Sequence, residues 1–152
     1  MARCTLASPF GPLTLVSGGD ALTALTWGGD PGTVPSDPLL ARAAAQLAAY
    51  FDGSLTAFDL PFRPAGGPLQ QAVCAAMSAI PYGETRTYGD LAAALGAPAQ
   101  AIGQACGGNP LPILIPCHRV LSARGLGGFS APGGIETKVA LLRHEGAAGL
   151  LI

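Results

Sequence analysis

A cysteine followed directly by a histidine, Cys117 and His118 in the stretch "IPCHRV" (115–120), is the pair of side chains in this sequence best suited to chemistry. A thiol attacks only as its thiolate, and free cysteine has a pKa of about 8.5. It needs a base or a positive charge close by. Histidine is such a base near neutral pH, but consecutive side chains diverge in strands and helices alike. Cys117 and His118 therefore meet only through a tight turn or a bridging water. A histidine base in turn uses an acceptor on its second nitrogen to fix tautomer and orientation. Glu84, Asp90, Glu136 and Glu145 are the acidic candidates in the second half of the chain. Glu145 ends a stretch of helical character and would be held rigidly. Asn109, in "GNP", is a turn residue whose amide can hold a carboxylate or a carbonyl. On these residues alone, a Cys–His–Glu relay and an unreactive structural thiol stay equally open.

The surrounding sequence suggests how such residues would be positioned. Before position 30, "TLAS", "LTLVS" and "ALTALTW" are short Thr/Leu/Val runs separated by "PFGP" and "GGD", a hairpin-and-meander pattern. A helix is expected over "DPLLARAAAQLAAYF", with Asp37 as cap, Pro38 in the first turn, and Leu40, Ala43, Leu47, Tyr50 and Phe51 on one face. "DGSLTAFDLPFRPAGG" reads as an irregular linker. From Pro68 the pattern is helical, with Leu69, Val73, Met77 and Ile80 at core spacing and Cys74 within the helix. "PYGETR" reads as a turn. "TYGDLAAALG" is a helix capped by Thr87 and Asp90 and stopped by Gly96. Pro98 opens a second short helix rich in alanine and glycine. The pair is a helix-turn-helix candidate or simply two packed helices. An ordinary helix is about 10–12 Å wide, and the DNA minor groove only about 6 Å, so a helix stripped to small residues suits close approach to a groove as well as it suits tight helix packing. Pro110, Pro112 and Pro116 forbid a long helix before Cys117. A last helix, "GIETKVALLRHEG", would bury Ile135, Val139 and Leu142.

Totals exclude several classes. The chain has 152 residues, 49% apolar and 11% charged, so a packed globule of one large or two small domains is expected. Net charge is −1, with a slight acidic lean before residue 82 and a slight basic lean after it. That lacks the basic patch of a strong nucleic-acid binder. No apolar run reaches the roughly 20 residues of a membrane helix, no signal peptide is expected, and a cytoplasmic location follows by default. Four dispersed cysteines and two histidines make a metal site unexpected. In a reducing compartment the cysteines stay free thiols.

Several stretches in order, "IPYGETRTYGDLAAALG", the Ala/Gly helix, "GNPLPILIPCHRV", "GGFSAPGG" and "LLRHEG", closely resemble the O6-alkylguanine-DNA alkyltransferases, the methylated-DNA–protein-cysteine methyltransferases. The resemblance covers residues 68–146 well, and residues 1–67 in general layout. It implies a small α/β domain of ribonuclease-H-like appearance (1–64), a sheet plus a helix. A mainly helical, winged-helix or helix-turn-helix-like domain (65–152) follows. It also implies DNA repair by single-turnover transfer of an alkyl group from O6-alkylguanine, with O4-alkylthymine as a further substrate, to Cys117. His118 would act as base through a water, Glu145 would orient it, and Asn109 would brace the turn. Tyr88, the carbonyls of Cys117 and Val120, and the backbone of Ser130 would contact the flipped guanine, with Pro116, Arg119 and Lys138 shaping and holding the pocket. Thr87, Ala99, Gln100, Ala101, Gly103 and Arg119 would form the DNA-contacting set. The partner would be double-stranded DNA containing alkylated guanine, bound by a monomer, with cooperative binding left open. No cofactor and no metal are implied; only Cys4 could belong to the zinc site of some relatives. Gln100 departs from the pattern, because the family places an arginine there to fill the gap left by the extruded base. A non-catalytic sensor of alkylated DNA and a Cys/His hydrolase are the rival readings.

Overall fold

A computed structural model describes residues 2–129 and 131–147 of the chain, which divides into two compact units, Met1–Pro64 and Ala65–Ile152. In the first, β1 (Ala2–Leu6), β2 (Leu13–Ser17) and β3 (Leu22–Trp27) form an antiparallel meander in that order. The turn between β1 and β2 is closed by Gly11 donating to Ser8 O. Every residue of β2 is buried. Two of them are threonine and serine, and Thr14 is satisfied by Gly28 O and by the Thr5 hydroxyl, both at 2.8 Å.

Helix α1 (Pro38–Phe51) starts where the cap chemistry puts it: Asp37 accepts from the Leu40 N–H at 2.8 Å and proline fills the first turn. Its inward stripe is Leu40, Ala43, Leu47 and Tyr50, packed on β1 and β2. Burying each leucine is worth about 1.5–3 kcal/mol. Phe51 is half-buried and stacks with Phe10. The expected linker before residue 65 is instead part of this unit. Phe62 bridges Leu22 in parallel, with Leu22 donating to Pro61 O and accepting from Arg63. Phe58 packs on Tyr50.

The second unit is built on α2 (Pro68–Ser78), α3 (Tyr88–Leu95), α4 (Ala99–Gly107) and α5 (Ile135–His144). Helices α2, α3 and α4 pack against one another. A full capping box between Thr87 and Asp90 starts α3, and Gly96 ends it at φ 65°, where a side chain would be strained. Three residues later α4 begins, so the helix-turn-helix arrangement is present. The stretch expected as a plain turn (81–86) runs into β4 (Arg86–Thr87), which pairs in parallel with β5 (Val120–Leu121). On two helices the first residue of the expected face lies outside the core, while Val73, Met77 and Leu142 are buried as expected. Leu69 and Ile135 are 37% and 48% exposed. Ile80 is buried beyond the end of α2, and α5 buries Thr137, Lys138, Leu141 and Leu142. The inward stripe of α5 carries polar residues because it faces the site rather than an apolar core.

Candidate active site

The segment before Cys117 is a rigid mount. All ten residues from 111 to 120 are buried. Leu114 donates to Pro112 O at 2.8 Å around Ile113, which sits at φ 72°. This is the rare, strained form of γ-turn, and a β-branched residue there is a true outlier costing about 1–3 kcal/mol. Cys117 then donates to Ile115 O at 2.8 Å around Pro116 (φ −81°, ψ 69°), the relaxed form of the same turn. The Asn109 side chain holds both ends of this segment, accepting from Leu111 N at 3.0 Å and donating to Ile115 O at 2.8 Å. Its amide also lies against the Cys117 thiol and favours the ionised form.

Cys117, His118 and Arg119 form one 3-10 turn, Cys117–Arg119, that runs into β5. In this turn the Val120 N–H donates to Cys117 O. His118 is fully buried, and its Nε2 lies 2.7 Å from Glu145 Oε2. Arg119 grips the same carboxylate through Nε (2.8 Å) and a terminal nitrogen (3.0 Å), and donates to Ile80 O at 2.7 Å. An acceptor of two guanidinium bonds is an ionised carboxylate, so His118 donates from Nε2. Its Nδ1 then carries the free lone pair. That atom is buried and without a hydrogen-bond partner among the described residues. Burial is the main effect holding the His118 pKa below its ordinary value, against the opposing pull of Glu145. The imidazole is neutral at rest and able to take a proton.

Cys117 opens into a cavity of about 380 Å3, lined also by Tyr88, Gly103, Cys106, Asn109 and Phe129. The β4–β5 pairing brings Tyr88 to it, since Tyr88 directly follows Thr87, the partner of Leu121. Gly127, at φ 72°, passes so close to Tyr88 that a Cβ would lie 3.0 Å from the phenol oxygen. Two thiols share the cavity, and the Lys138 ammonium draws both down against their burial. Burial pushes Cys106 up to about 12. Burial also raises Cys117, while Asn109 and the Lys138 ammonium draw it back. Lys138 is fully buried and donates to Val120 O (2.7 Å) and Gly128 O (3.1 Å).

Sequence reading and structure can be compared residue by residue. Cys117, His118, Glu145 and Asn109 lie together, with Tyr88, Pro116, Val120 and Lys138 beside them. Ser130 lies outside the described residues. On α4, Ala99 and Gln100 are exposed, and Ala101 and Gly103 half-buried. A Cβ built at Gly103 meets nothing within 4 Å, so tight packing does not keep this residue small. Thr87 is half-buried and its hydroxyl is engaged in the α3 cap. The expectation of Arg119 as a DNA contact is corrected: it is 7% exposed and committed to Glu145 and Ile80. Sequence reasoning missed Tyr82, which lies beneath Arg119 at 5.8 Å and donates to His144 O. It also missed Cys106 as a second thiol in the cavity.

The model of the family described as 6-O-methylguanine DNA methyltransferase, ribonuclease-like domain, matches residues 1–64. The corresponding DNA binding domain model matches residues 68–147. The chain belongs to the 6-O-methylguanine DNA methyltransferase family. The methylated-DNA–protein-cysteine methyltransferase of Mycobacterium tuberculosis is 45% identical over 93% of this chain and 90% of its own length. That of Methanosarcina acetivorans is 39% identical over 92% and 95%. A crystal structure of Mycobacterium tuberculosis OGT in complex with DNA superposes with a TM-score of 0.84 at 45% identity, covering 95% of this chain and 92% of that one. The small sheet unit followed by a helical unit is therefore the family architecture. No helix among the described residues is long and apolar enough to cross a membrane.

Proposed function

We propose that this protein repairs alkylated DNA by moving the alkyl group from O6 of guanine to Cys117 Sγ. The observation that carries this reading is the buried Glu145–His118 pair, whose free Nδ1 belongs to the residue next to a thiol opening into a cavity. In the reaction His118 Nδ1 takes the thiol proton through a bridging water. The thiolate then attacks the alkyl carbon in line, the carbon–oxygen bond breaks, and guanine leaves with the electron pair and gains a proton. Tyr88 donates to the extruded base, and the carbonyls of Cys117 and Val120 and the backbone of Ser130 read its edge. The product is a thioether, so each molecule acts once.

A lesion inside a duplex cannot reach a buried sulfur, so the nucleotide must leave the stack. The start of α4, with Ala99 and Gln100 exposed and Ala101 and Gly103 half-buried and small, supports approach to the minor groove of double-stranded DNA. The net charge of −1 supports modest rather than strong binding to DNA. The deciding experiment is intact-mass analysis after mixing with duplex DNA containing O6-methylguanine. One added methyl group on Cys117, with a burst no larger than the protein concentration and none for Cys117→Ala, is expected. Binding without a mass change would leave a sensor instead, and repeated turnover a hydrolase.

A further inference from the structure

The cavity holds a thiol that the repair reaction does not use. Helix α4 contributes Gly103, Cys106 and Gly107 to the lining, positions that share one helix face at spacings of three and four. The two glycines bring no side chain, so the group that α4 presents to the chamber is the Cys106 sulfur. Cys117 opens into the same chamber. The chain between the two cysteines folds back through one side chain. The Asn109 N–H donates to Cys106 O at 3.3 Å. The Asn109 amide donates to Ile115 O at 2.8 Å, and that carbonyl also accepts from Cys117 N at 2.8 Å. Both cysteines therefore hang from one clip, and both are free thiols. Cys74 is different: it lies in α2, its sulfur is 3.6 Å from Gln70 Nε2, and it is not part of the cavity wall. It is the small buried hydrophobe that a cysteine usually is. The two cavity thiols also differ in readiness. Asn109 favours the ionised form of Cys117, while burial holds Cys106 up at about 12. An oxidant that enters the chamber reacts first at Cys117, because the thiolate is the reactive form.

We propose that Cys106 is the resolving partner of Cys117: a hydroperoxide oxidises Cys117, and Cys106 captures the product as an intramolecular disulfide that silences the site and spares the acceptor from irreversible oxidation. The inference rests on Cys117 being the reactive thiol of the repair reading. In the first step the Cys117 thiolate attacks one oxygen of hydrogen peroxide. The S–O bond forms, the O–O bond breaks, and hydroxide leaves and takes up the proton that His118 had received. Sulfur is oxidised to a sulfenic acid as the peroxide is reduced to water. In the second step the Cys106 sulfur attacks the Cys117 sulfur. The S–S bond forms, the S–O bond breaks, and the departing hydroxide leaves as water with the proton from Cys106. Without a partner thiol, a second peroxide carries the sulfenic acid on to a sulfinic acid, which thiols do not reduce.

Hydrogen peroxide on the intact protein, without DNA, tests this. Peptide mapping under non-reducing conditions is expected to find Cys106 joined to Cys117, in a molecule lighter by two hydrogens. Labelling of Cys117 by iodoacetamide should vanish on oxidation and return with dithiothreitol. In Cys106→Ala the lost labelling should not return, and Cys117 should carry two added oxygens instead. The readout is the fraction of labelling recovered within each variant, so it needs no comparison of absolute rates. Cys106→Ser serves as the second variant, and the mapping of the unsubstituted protein stands alone if neither variant folds. A disulfide spans Cα separations of about 4.4–6.8 Å. If the clip holds the two cysteines beyond that reach, the unsubstituted protein passes straight to the sulfinic acid or joins Cys106 to Cys74. Either result overturns the proposal, as does equal recovery with and without Cys106. A reversible Cys106–Cys117 bridge in protein that takes no alkyl group from O6-methylguanine DNA keeps the inference and sinks the repair reading.

Discussion

The two units bury polar groups in opposite ways. Among the described residues, the buried polar side chains of the first unit are hydroxyls: Thr5, Thr14 and Ser17. The second unit buries one hydroxyl, Thr137, but also His118, Arg119, Lys138 and Glu145, all ionisable, within and beside one short segment. Hydroxyls are satisfied by a local carbonyl or by each other, as Thr5 and Thr14 are. Buried charges stabilise little on net, and removing one partner leaves the other stranded. The contrast separates a unit whose interior maintains shape from one whose interior is arranged around a proton and an electron pair.

The comparison would be broken most clearly by Glu145→Ala. It strands Arg119 and leaves His118 without its acceptor, so a loss of about 3–5 kcal/mol in the second unit is expected, with alkyl transfer abolished. Hydrogen exchange should show it, with protection falling in α5 and around residues 117–121 but not in β1–β3. Leu40→Ala is the matching lesion in the first unit. It empties a fully buried position and should lower stability by about 2–5 kcal/mol, while iodoacetamide still modifies Cys117 at the original rate.

Acid should divide the units as well. The folded His118 pKa lies below its ordinary 6.5. Between those two values the unfolded chain binds a proton that the folded one does not, so stability falls as pH drops below 6.5, by up to about 1.4 kcal/mol per unit of pH. Both histidines lie in the second unit. In the first, the Leu40 N–H bond holds Asp37 below its ordinary 3.8. The contribution of that cap is complete above 3.8 and is lost only as pH falls further. Between pH 6.5 and 5, hydrogen-exchange protection should therefore weaken around residue 118 and hold in α1. The smallest expected effect is a rate. Gln100→Arg adds a cation on the exposed start of α4 and should speed alkyl transfer from duplex DNA several-fold without changing iodoacetamide reactivity. An unchanged rate would mean that Gln100 does not limit extrusion.

What was legible in the sequence follows the same division. Helix α1 was readable to its cap because Asp37, Pro38 and an apolar stripe at helical spacing all pointed one way. The capping box of α3 and the stop at Gly96 were readable for the same local reason. Periodicity misled in α5, where Ile135 is exposed while Thr137 and Lys138 face inward, because the helix packs against an ionised site rather than an apolar core. Residues 52–67 were read as a linker since the bridge from Phe62 to Leu22 spans forty positions and leaves no local mark. The γ-turn at Ile113 was invisible for a deeper reason: no local preference favours isoleucine there, and only the surrounding burial and Asn109 enforce it. Arg119 was placed both in the pocket and among the DNA contacts, because an arginine beside a reactive pair looks identical in sequence whether it faces solvent or a carboxylate; only the first placement agrees with its burial.

The double γ-turn ahead of Cys117 has a bearing on substrate size. Ten successive buried residues stapled by Asn109 leave the sulfur's own side of the chamber no slack. Room for groups bulkier than methyl must then come from the rest of the lining, Tyr88, Gly128 and Phe129 among it, so tolerance for large lesions is a property of those residues and not of the nucleophile.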